Sequence, residues 1–175
     1  MKKLIAALMS ICLIFCCAVS FAGEAAATTI SWSDYEAEAA KVEGQFANVA
    51  DIGLRMFIPA EFKDTEIPKD AQEGGTFLVL KSDKEEKAVV NAQFLNTDID
   101  TFKAAIEAQG ITTYETEVNG LQCLQFMVHA GDVATASFAF HSDNGSVVVF
   151  SFTPANQEPY TGLYKLMAAS LQSAE

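Results

Sequence analysis

The chain has 175 residues, with 11 lysine and arginine residues against 23 aspartate and glutamate residues, which gives a formal net charge of −12. This acidity argues against nucleic acid as a partner, because phosphate binding needs a basic surface, and against anionic lipid surfaces. The acidic residues are scattered, so they favour a solubilising role, with attraction to cations or a basic partner as the alternative.

The first 22 residues are typical of a secretory signal peptide. Lys2 and Lys3 precede an uncharged stretch over residues 4–21, and Ser20 and Ala22 are small residues at the positions that signal peptidase requires. The alternative is an uncleaved anchor, because the stretch is near the lower length limit for crossing a bilayer. We therefore predict an exported protein, secreted or periplasmic, that is membrane-anchored only if the signal is not cleaved.

Cleavage after Ala22 removes two basic residues and three of the four cysteines, which leaves a net charge of −14 and Cys123 as the lone cysteine. A lone cysteine forms no internal disulfide, although an exported compartment allows one. Two of the removed cysteines, Cys16 and Cys17, raise the alternative of a lipoprotein, but neither follows a small residue. We predict a flexible lead-in over residues 23–32 and a single domain over residues 33–175.

The first half of this domain begins with a helix and continues with strands. Ser33 and Glu36 form a capping-box pattern that predicts a helix over residues 34–43, ended by Gly44. Strands are predicted over residues 46–50, 54–58, 76–81 and 88–95. Residues 59–75 are polar and rich in proline and glycine, which predicts a long loop between the second and third strands.

The second half repeats this order. Asp98 begins a predicted helix that Gly110 ends. Asn119-Gly120 is a strong signal for a type I′ hairpin turn, and four strands are predicted over residues 111–118, 121–129, 133–141 and 146–153. A C-terminal helix follows from Tyr160. Consecutive hairpins predict an α+β fold in which a mainly antiparallel sheet of about six to eight strands is flanked by about three helices. One sheet face carries four phenylalanines, Phe138, Phe140, Phe150 and Phe152.

The segment Gly53–Phe62, a strand ending in proline and an aromatic residue, resembles the start of the Mog1/PsbP-like domains. The close of the chain is also similar, because the apolar strand Val147–Phe152 leads through a proline-containing turn to a helix ending at Leu171. The resemblance implies an antiparallel sheet flanked by helices and a mainly noncatalytic role. One member binds a small GTPase and others are extrinsic subunits of the photosynthetic oxygen-evolving complex. No functional residue carries over, and neither partner is implied.

Cys123 with His141 is the one catalytic constellation that the predicted topology allows. Cys123 faces Thr116 across the Asn119-Gly120 hairpin, so a nucleophilic role needs His141 as its base. The alternative is a buried structural cysteine. His129 and His141 lie at opposite ends of a predicted hairpin and should not share a metal. No phosphate loop, nucleophile elbow, zinc motif or EF-hand spacing occurs, so neither metal nor cofactor is predicted.

The candidate binding surface comprises Trp32 and residues of the long loop, namely Phe62, Asp64, Glu66, Asp70 and Glu73. Ca²⁺ prefers oxygen ligands, so the loop carboxylates are a candidate for weak Ca²⁺ binding. The alternative is that they are simply solvated. Trp32, the only tryptophan, either packs against the first helix as a staple or forms an exposed contact.

These observations favour a noncatalytic accessory protein that binds an extracytoplasmic protein or envelope component, with no membrane span after signal cleavage. An extracytoplasmic hydrolase that uses Cys123 with His141, or carboxylates, is the alternative. The first hypothesis predicts an exposed apolar or aromatic surface. The second predicts a polar cleft with perturbed pKa values.

Overall fold

The computed structural model describes residues 28–50, 52–142 and 144–174. The predicted signal peptide lies outside this part, as do residues 23–27 of the predicted lead-in. The described chain forms two sheets and four α-helices. The strands are β1 (Thr28–Ile30), β2 (Gly44–Val49), β3 (Leu54–Pro59), β4 (Phe62–Asp64), β5 (Thr76–Ser82), β6 (Val89–Leu95), β7 (Thr113–Val118), β8 (Leu121–Ala130), β9 (Val133–His141), β10 (Val147–Thr153) and β11 (Gln172–Ser173). The helices are α1 (Glu36–Ala39), α2 (Lys69–Glu73), α3 (Ile99–Glu107) and α4 (Tyr160–Ala169), with a 3-10 turn at Trp32–Asp34.

The larger sheet has eight strands in the order β1-β7-β8-β9-β10-β6-β5-β4, and the smaller has the order β11-β3-β2. Every neighbouring pair is antiparallel except β1 with β7. Asn119 and Gly120 have φ angles of 48° and 84°, and positive values at both positions are what a type I′ turn requires. The predicted α+β class and the mainly antiparallel sheet are confirmed.

One face of the larger sheet is covered by α4 and the smaller sheet. The four phenylalanines predicted to share a face do so, and they pack edge to face in two pairs, Phe138 with Phe152 and Phe140 with Phe150. The α4 residue Tyr164 lies 5.7 Å from the Phe152 ring, measured between centroids. Met56 of β3 is fully buried against the same cluster. This face is therefore the main hydrophobic core.

The other face is covered by α3. Phe102 and Ile106 of α3 pack against Leu124, Phe126 and Val149 of the sheet. The helix begins where predicted, because the Asp98 carboxylate accepts a hydrogen bond from the backbone N–H of Thr101 at 2.8 Å. That bond, together with one from the Thr101 hydroxyl, lowers the pKa of Asp98.

The helix predicted over residues 34–43 is wrong in its extent. The chain forms the 3-10 turn Trp32–Asp34 and the single turn of α1 instead. Gly44 is the first residue of β2 rather than a helix cap, and a Cβ atom placed there would lie 2.6 Å from Cζ of Phe57. β2 and β3 approach each other so closely at this position that only glycine fits. The strand therefore begins at Gly44, earlier than predicted.

The long loop predicted over residues 59–75 contains β4 and α2, and the predicted lead-in contributes β1. The elements β1 and β4 have three residues each, which is too short for the alternation of apolar and polar residues to show in the sequence. Both acquire their strand structure from pairing, β1 with β7 and β4 with β5.

Candidate functional site

A cleft of about 700 Å³ opens at one end of the space between the two sheets. Its volume lies within the range typical of small-molecule pockets, roughly 300–1,000 Å³. The residues that line it are Ile52, Gly53, Leu54, Phe94, Gly120, Leu121, Gln122, Phe140, His141, Ser142, Asn144, Val148 and Ser173. Because they come from six separate stretches of the chain, the cleft exists only in the folded protein.

The floor of the cleft is apolar. Phe94, Val148 and Phe140 are cross-strand partners on β6, β10 and β9, so their side chains form one row on the core face of the larger sheet. Ile52 and Leu54 form the opposite wall and are half-buried, as are Phe94 and Leu121. This arrangement leaves a set of apolar side chains only partly covered by the protein itself.

The rim of the cleft is polar. Ser142 donates a hydrogen bond from its hydroxyl to Oδ1 of Asn144 at 2.6 Å, and the same oxygen accepts the backbone N–H of Ser146 at 3.1 Å. His141 and Gln122 border the cleft beside this loop, although by strand alternation their exposed side chains project from the other face of the larger sheet. An apolar floor with a few polar rim groups is typical of binding sites.

Cys123 and His141 lie close in register but on opposite faces of the sheet. Cys123 pairs with Phe140, whose side chain belongs to the main core, as does that of Cys123. Side chains alternate along a strand, so His141 points away from that core, toward the side of α3. A smaller groove of about 210 Å³ there is bordered by His141, Lys103 and Glu115, and Cys123 reaches it from within β8. The predicted nucleophile and base thus both border this groove, but their side chains project from opposite faces of the sheet.

Burial disfavours the thiolate form of Cys123. The side chain is 6% exposed, and this burial raises its pKa to about 12. Thr116 faces it across the hairpin, as predicted, and offers no base. Because the thiolate is the nucleophilic form of cysteine, Cys123 has the properties of a structural residue.

The predicted binding-surface residues do not form one surface. Phe62 is 4% exposed and packs against Tyr160 and Tyr164 of α4, so it belongs to the core. The carboxylates at residues 64, 66, 70 and 73 are exposed, and that of Glu73 lies 4.0 Å from Nζ of Lys69. In the described part of the chain, no three acidic, histidine or cysteine side chains are placed to hold a metal ion.

Trp32 is partly exposed on the outer side of the smaller sheet. Its ring lies 5.2 Å from that of Phe46 and 5.8 Å from that of Phe57, measured between centroids. Both partner rings belong to the smaller sheet, Phe46 to β2 and Phe57 to β3. Phe46 is 38% exposed and extends this aromatic surface.

Asn119 links the segment that carries Trp32 to the C-terminal helix. Its Oδ1 accepts the backbone N–H of Trp32 at 2.7 Å, and its Nδ2 donates to the carbonyl oxygens of Ala169 and Leu171, both at 2.8 Å. The backbone N–H of Asn119 also donates to Ile30. A residue recognised in the sequence only as half of a turn thus joins β1, α4 and the central hairpin.

Four apolar residues that line the cleft were not predicted as site residues, namely Ile52, Leu54, Phe94 and Leu121. Each lies near a strand end and is apolar, which is also true of many core residues. A single sequence carries no signal that these four positions converge, because the convergence depends on how the two sheets pack.

Comparison with known proteins shows a likeness in fold. The solution structure of cyanobacterial PsbP (CyanoP) from Synechocystis sp. PCC 6803 matches with a TM-score of 0.53 and 12% identity, covering 75% of this chain and 93% of that one. A crystal structure from Bacteroides thetaiotaomicron VPI-5482 matches at a TM-score of 0.48 and 12% identity, covering 76% of this chain and 49% of that one. No family model and no curated protein matches the chain.

The resemblance to PsbP-like domains inferred from the sequence is confirmed at the level of the fold. An identity of 12% shows shared architecture and says nothing about individual site residues. Within the described residues, every helix is too short or too polar to cross a bilayer.

Proposed function

We propose that the protein is an exported, noncatalytic accessory domain that binds an extracytoplasmic protein or envelope component through the cleft between its sheets. The observation that carries this proposal is the set of half-buried apolar side chains under a polar rim. Such surfaces mark interaction sites, because leaving apolar area exposed to water is unfavourable unless something covers it.

The fold and the signal pattern support the same function. PsbP-like domains are mainly noncatalytic, and the likeness to cyanobacterial PsbP extends over most of both chains. Export is inferred from the basic start, apolar stretch and small residues of residues 1–22. Two measurements test it: the mature N-terminus should be Gly23, and the protein should be recovered outside the cytoplasm.

The cleft variant Ile52→Asn tests the binding function. Ile52 is a half-buried wall residue, and the polar amide should weaken partner capture from the host's envelope or culture fluid about tenfold. Ile111→Asn is a matched control, because Ile111 is also half-buried but packs on the α3 side. A partner retained equally by both variants would place the binding site elsewhere.

The hydrolase alternative has its own test. Cys123 is buried on the opposite face from His141, so Cys123→Ser should not change turnover of any substrate found in a broad hydrolase screen. Turnover by the wild-type protein that disappears in Cys123→Ser would overturn the noncatalytic proposal.

A further inference from the structure

The chain's only arginine and only tryptophan meet on the outer face of the smaller sheet. Met56 of β3 points into the core, so its neighbours Arg55 and Phe57 point outward. Cζ of Arg55 lies 5.5 Å from the ring centroid of Phe46, and Trp32 packs on both aromatic rings. We call these four residues (Trp32, Phe46, Arg55 and Phe57) the arginine–aromatic patch. It lies on the face of β3 opposite to the cleft.

The guanidinium group of Arg55 has unused hydrogen-bonding capacity. It carries a positive charge and five N–H donors. Nη2 makes one long hydrogen bond, 3.4 Å, to Oε1 of Gln172, and the buried Nε has no hydrogen-bond partner in the part of the chain that the structure describes. Among the described residues, the ion pairs all involve lysines rather than this arginine. A carboxylate would complement this group better than water alone, because charge-assisted bonds to arginine are strong and often bidentate.

The patch borders an open strand edge. Within the described residues, β2 is the last strand of its sheet and pairs with β3 alone. The carbonyl oxygen of Glu43 accepts the backbone N–H of Ala60, which fixes the alternation of hydrogen-bonded pairs along the ladder. By that alternation, the backbone groups of Phe46 and Asn48 face the open edge. Consistently, the N–H of Phe57, the partner of Phe46, turns away from β2 and donates to Ser170.

We propose that β2 receives an extended acidic segment of a partner protein as an added strand, with a carboxylate of that segment paired to Arg55. An added strand would lie about 4.8 Å from β2. The guanidinium already lies over the Phe46 ring on β2, within reach of a glutamate side chain on the next strand. Backbone bonds at Phe46 and Asn48 would supply affinity, and Arg55 would supply the preference for an acidic side chain.

Trp32 allows a direct measurement, because it is the only tryptophan and lies in the patch. A short blocked peptide in which valine alternates with glutamate is titrated into the purified protein while tryptophan fluorescence is recorded. Physiological ionic strength screens more distant carboxylates, because the Debye length is about 8 Å. We expect a saturable change with this peptide, and binding about tenfold weaker when glutamine replaces glutamate.

Two variants separate the parts of the proposal. Arg55→Gln should abolish the preference for glutamate over glutamine, and Arg55→Lys should restore part of it. Asn48→Pro removes an outward N–H without removing a bond to β3, so it should weaken both peptides at least about tenfold. Circular dichroism verifies folding, and if Asn48→Pro does not fold, the Arg55 variants decide.

Three results would overturn the proposal. One is the absence of a saturable fluorescence change with the glutamate peptide. Another is equal binding of the glutamate and glutamine peptides to the wild-type protein. The third is an equal response to free glutamate at the same concentration, which would show a simple anion contact without strand addition.

Discussion

On the face of the larger sheet toward α4, four phenylalanines pack in edge-to-face pairs under Tyr164 and Met167. On the face toward α3, the same strands carry small residues and hydroxyls. There Ser137 bonds Ser151 at 2.9 Å between Oγ atoms, and Thr135 bonds Thr153. The two faces of the larger sheet thus differ in chemistry. The face toward α4 buries large aromatic side chains, whereas the face toward α3 carries short polar pairs beside a small apolar cluster.

This difference shows which face of the larger sheet joins the other elements of the fold. The aromatic face joins the larger sheet, the smaller sheet and α4 into one core, and the cleft opens at its end. The α3 face holds a local cluster around Phe102 and Ile106. We therefore expect substitutions on the aromatic face to affect the whole fold and those on the α3 face to have smaller effects.

The largest expected effect comes from Phe150→Ala. Phe150 is fully buried in the main core, so its truncation should lower the free energy of unfolding by about 3–5 kcal/mol. The matched change Phe126→Ala on the α3 face should cost about 1–2 kcal/mol less, because Phe126 packs in a cluster with fewer buried side chains than the main core. Urea unfolding measures both. An equal or larger loss for Phe126→Ala would contradict the difference between the faces.

The variant Asn119→Gly tests how much the hydrogen bonds between Asn119 and the N-terminal and C-terminal segments contribute to stability. Glycine tolerates the positive φ angle but loses the bonds to Trp32, Ala169 and Leu171, so we expect a loss of about 2–3 kcal/mol. Asn144→Gly is the control, because Asn144 also precedes a glycine in a hairpin loop but bonds only locally. Its effect should stay within about 0.5 kcal/mol in the same urea measurement.

The polar pairs of the α3 face are tested by Ser137→Ala. The change leaves the buried hydroxyl of Ser151 without its partner and should cost about 1–2 kcal/mol. A double-mutant cycle with Ser151→Ala should show that the double variant loses less than the sum of the single variants. Strict additivity would mean that the two hydroxyls do not support each other.

Cys123 gives the smallest effect, which appears only at alkaline pH. Burial raises the pKa of its thiol in the folded protein from 9.0 to about 12. The unfolded chain therefore loses this proton first, and the thiol's contribution to stability is full below 9.0 and falls as pH rises toward 12. Near neutral pH, the difference in free energy of unfolding between wild type and Cys123→Ala should be constant. In the alkaline range, the wild type should lose stability relative to the variant. Parallel pH profiles would show that Cys123 is not buried as described.

Local patterns in the sequence were sufficient to predict much of the fold. The Asn119-Gly120 turn determined the pairing of Cys123 with Thr116, and the alternation of Phe138, Phe140, Phe150 and Phe152 placed them on one face. These predictions succeeded because turn chemistry and two-residue periodicity act over short distances.

Other features depend on contacts between distant segments. Phe62 is buried because Tyr160 and Tyr164 of α4 cover it, and a local view of a polar loop could not show this. The cleft similarly needs Ile52 and Leu121, which are far apart in the chain, to meet across two sheets. The placement of Cys123 and His141 on opposite faces likewise depends on the register of β8 against β9, because one residue of offset decides which face a side chain occupies.

The bonds of Asn119 have a consequence for how the chain acquires its final form during synthesis. Trp32 lies near the start of the described chain and Leu171 near its end, yet one side chain holds both. The Asn119 side chain cannot complete its hydrogen bonds until Leu171 has emerged from the ribosome. The native contacts at this junction should therefore form only after nearly all of the described chain has been synthesised.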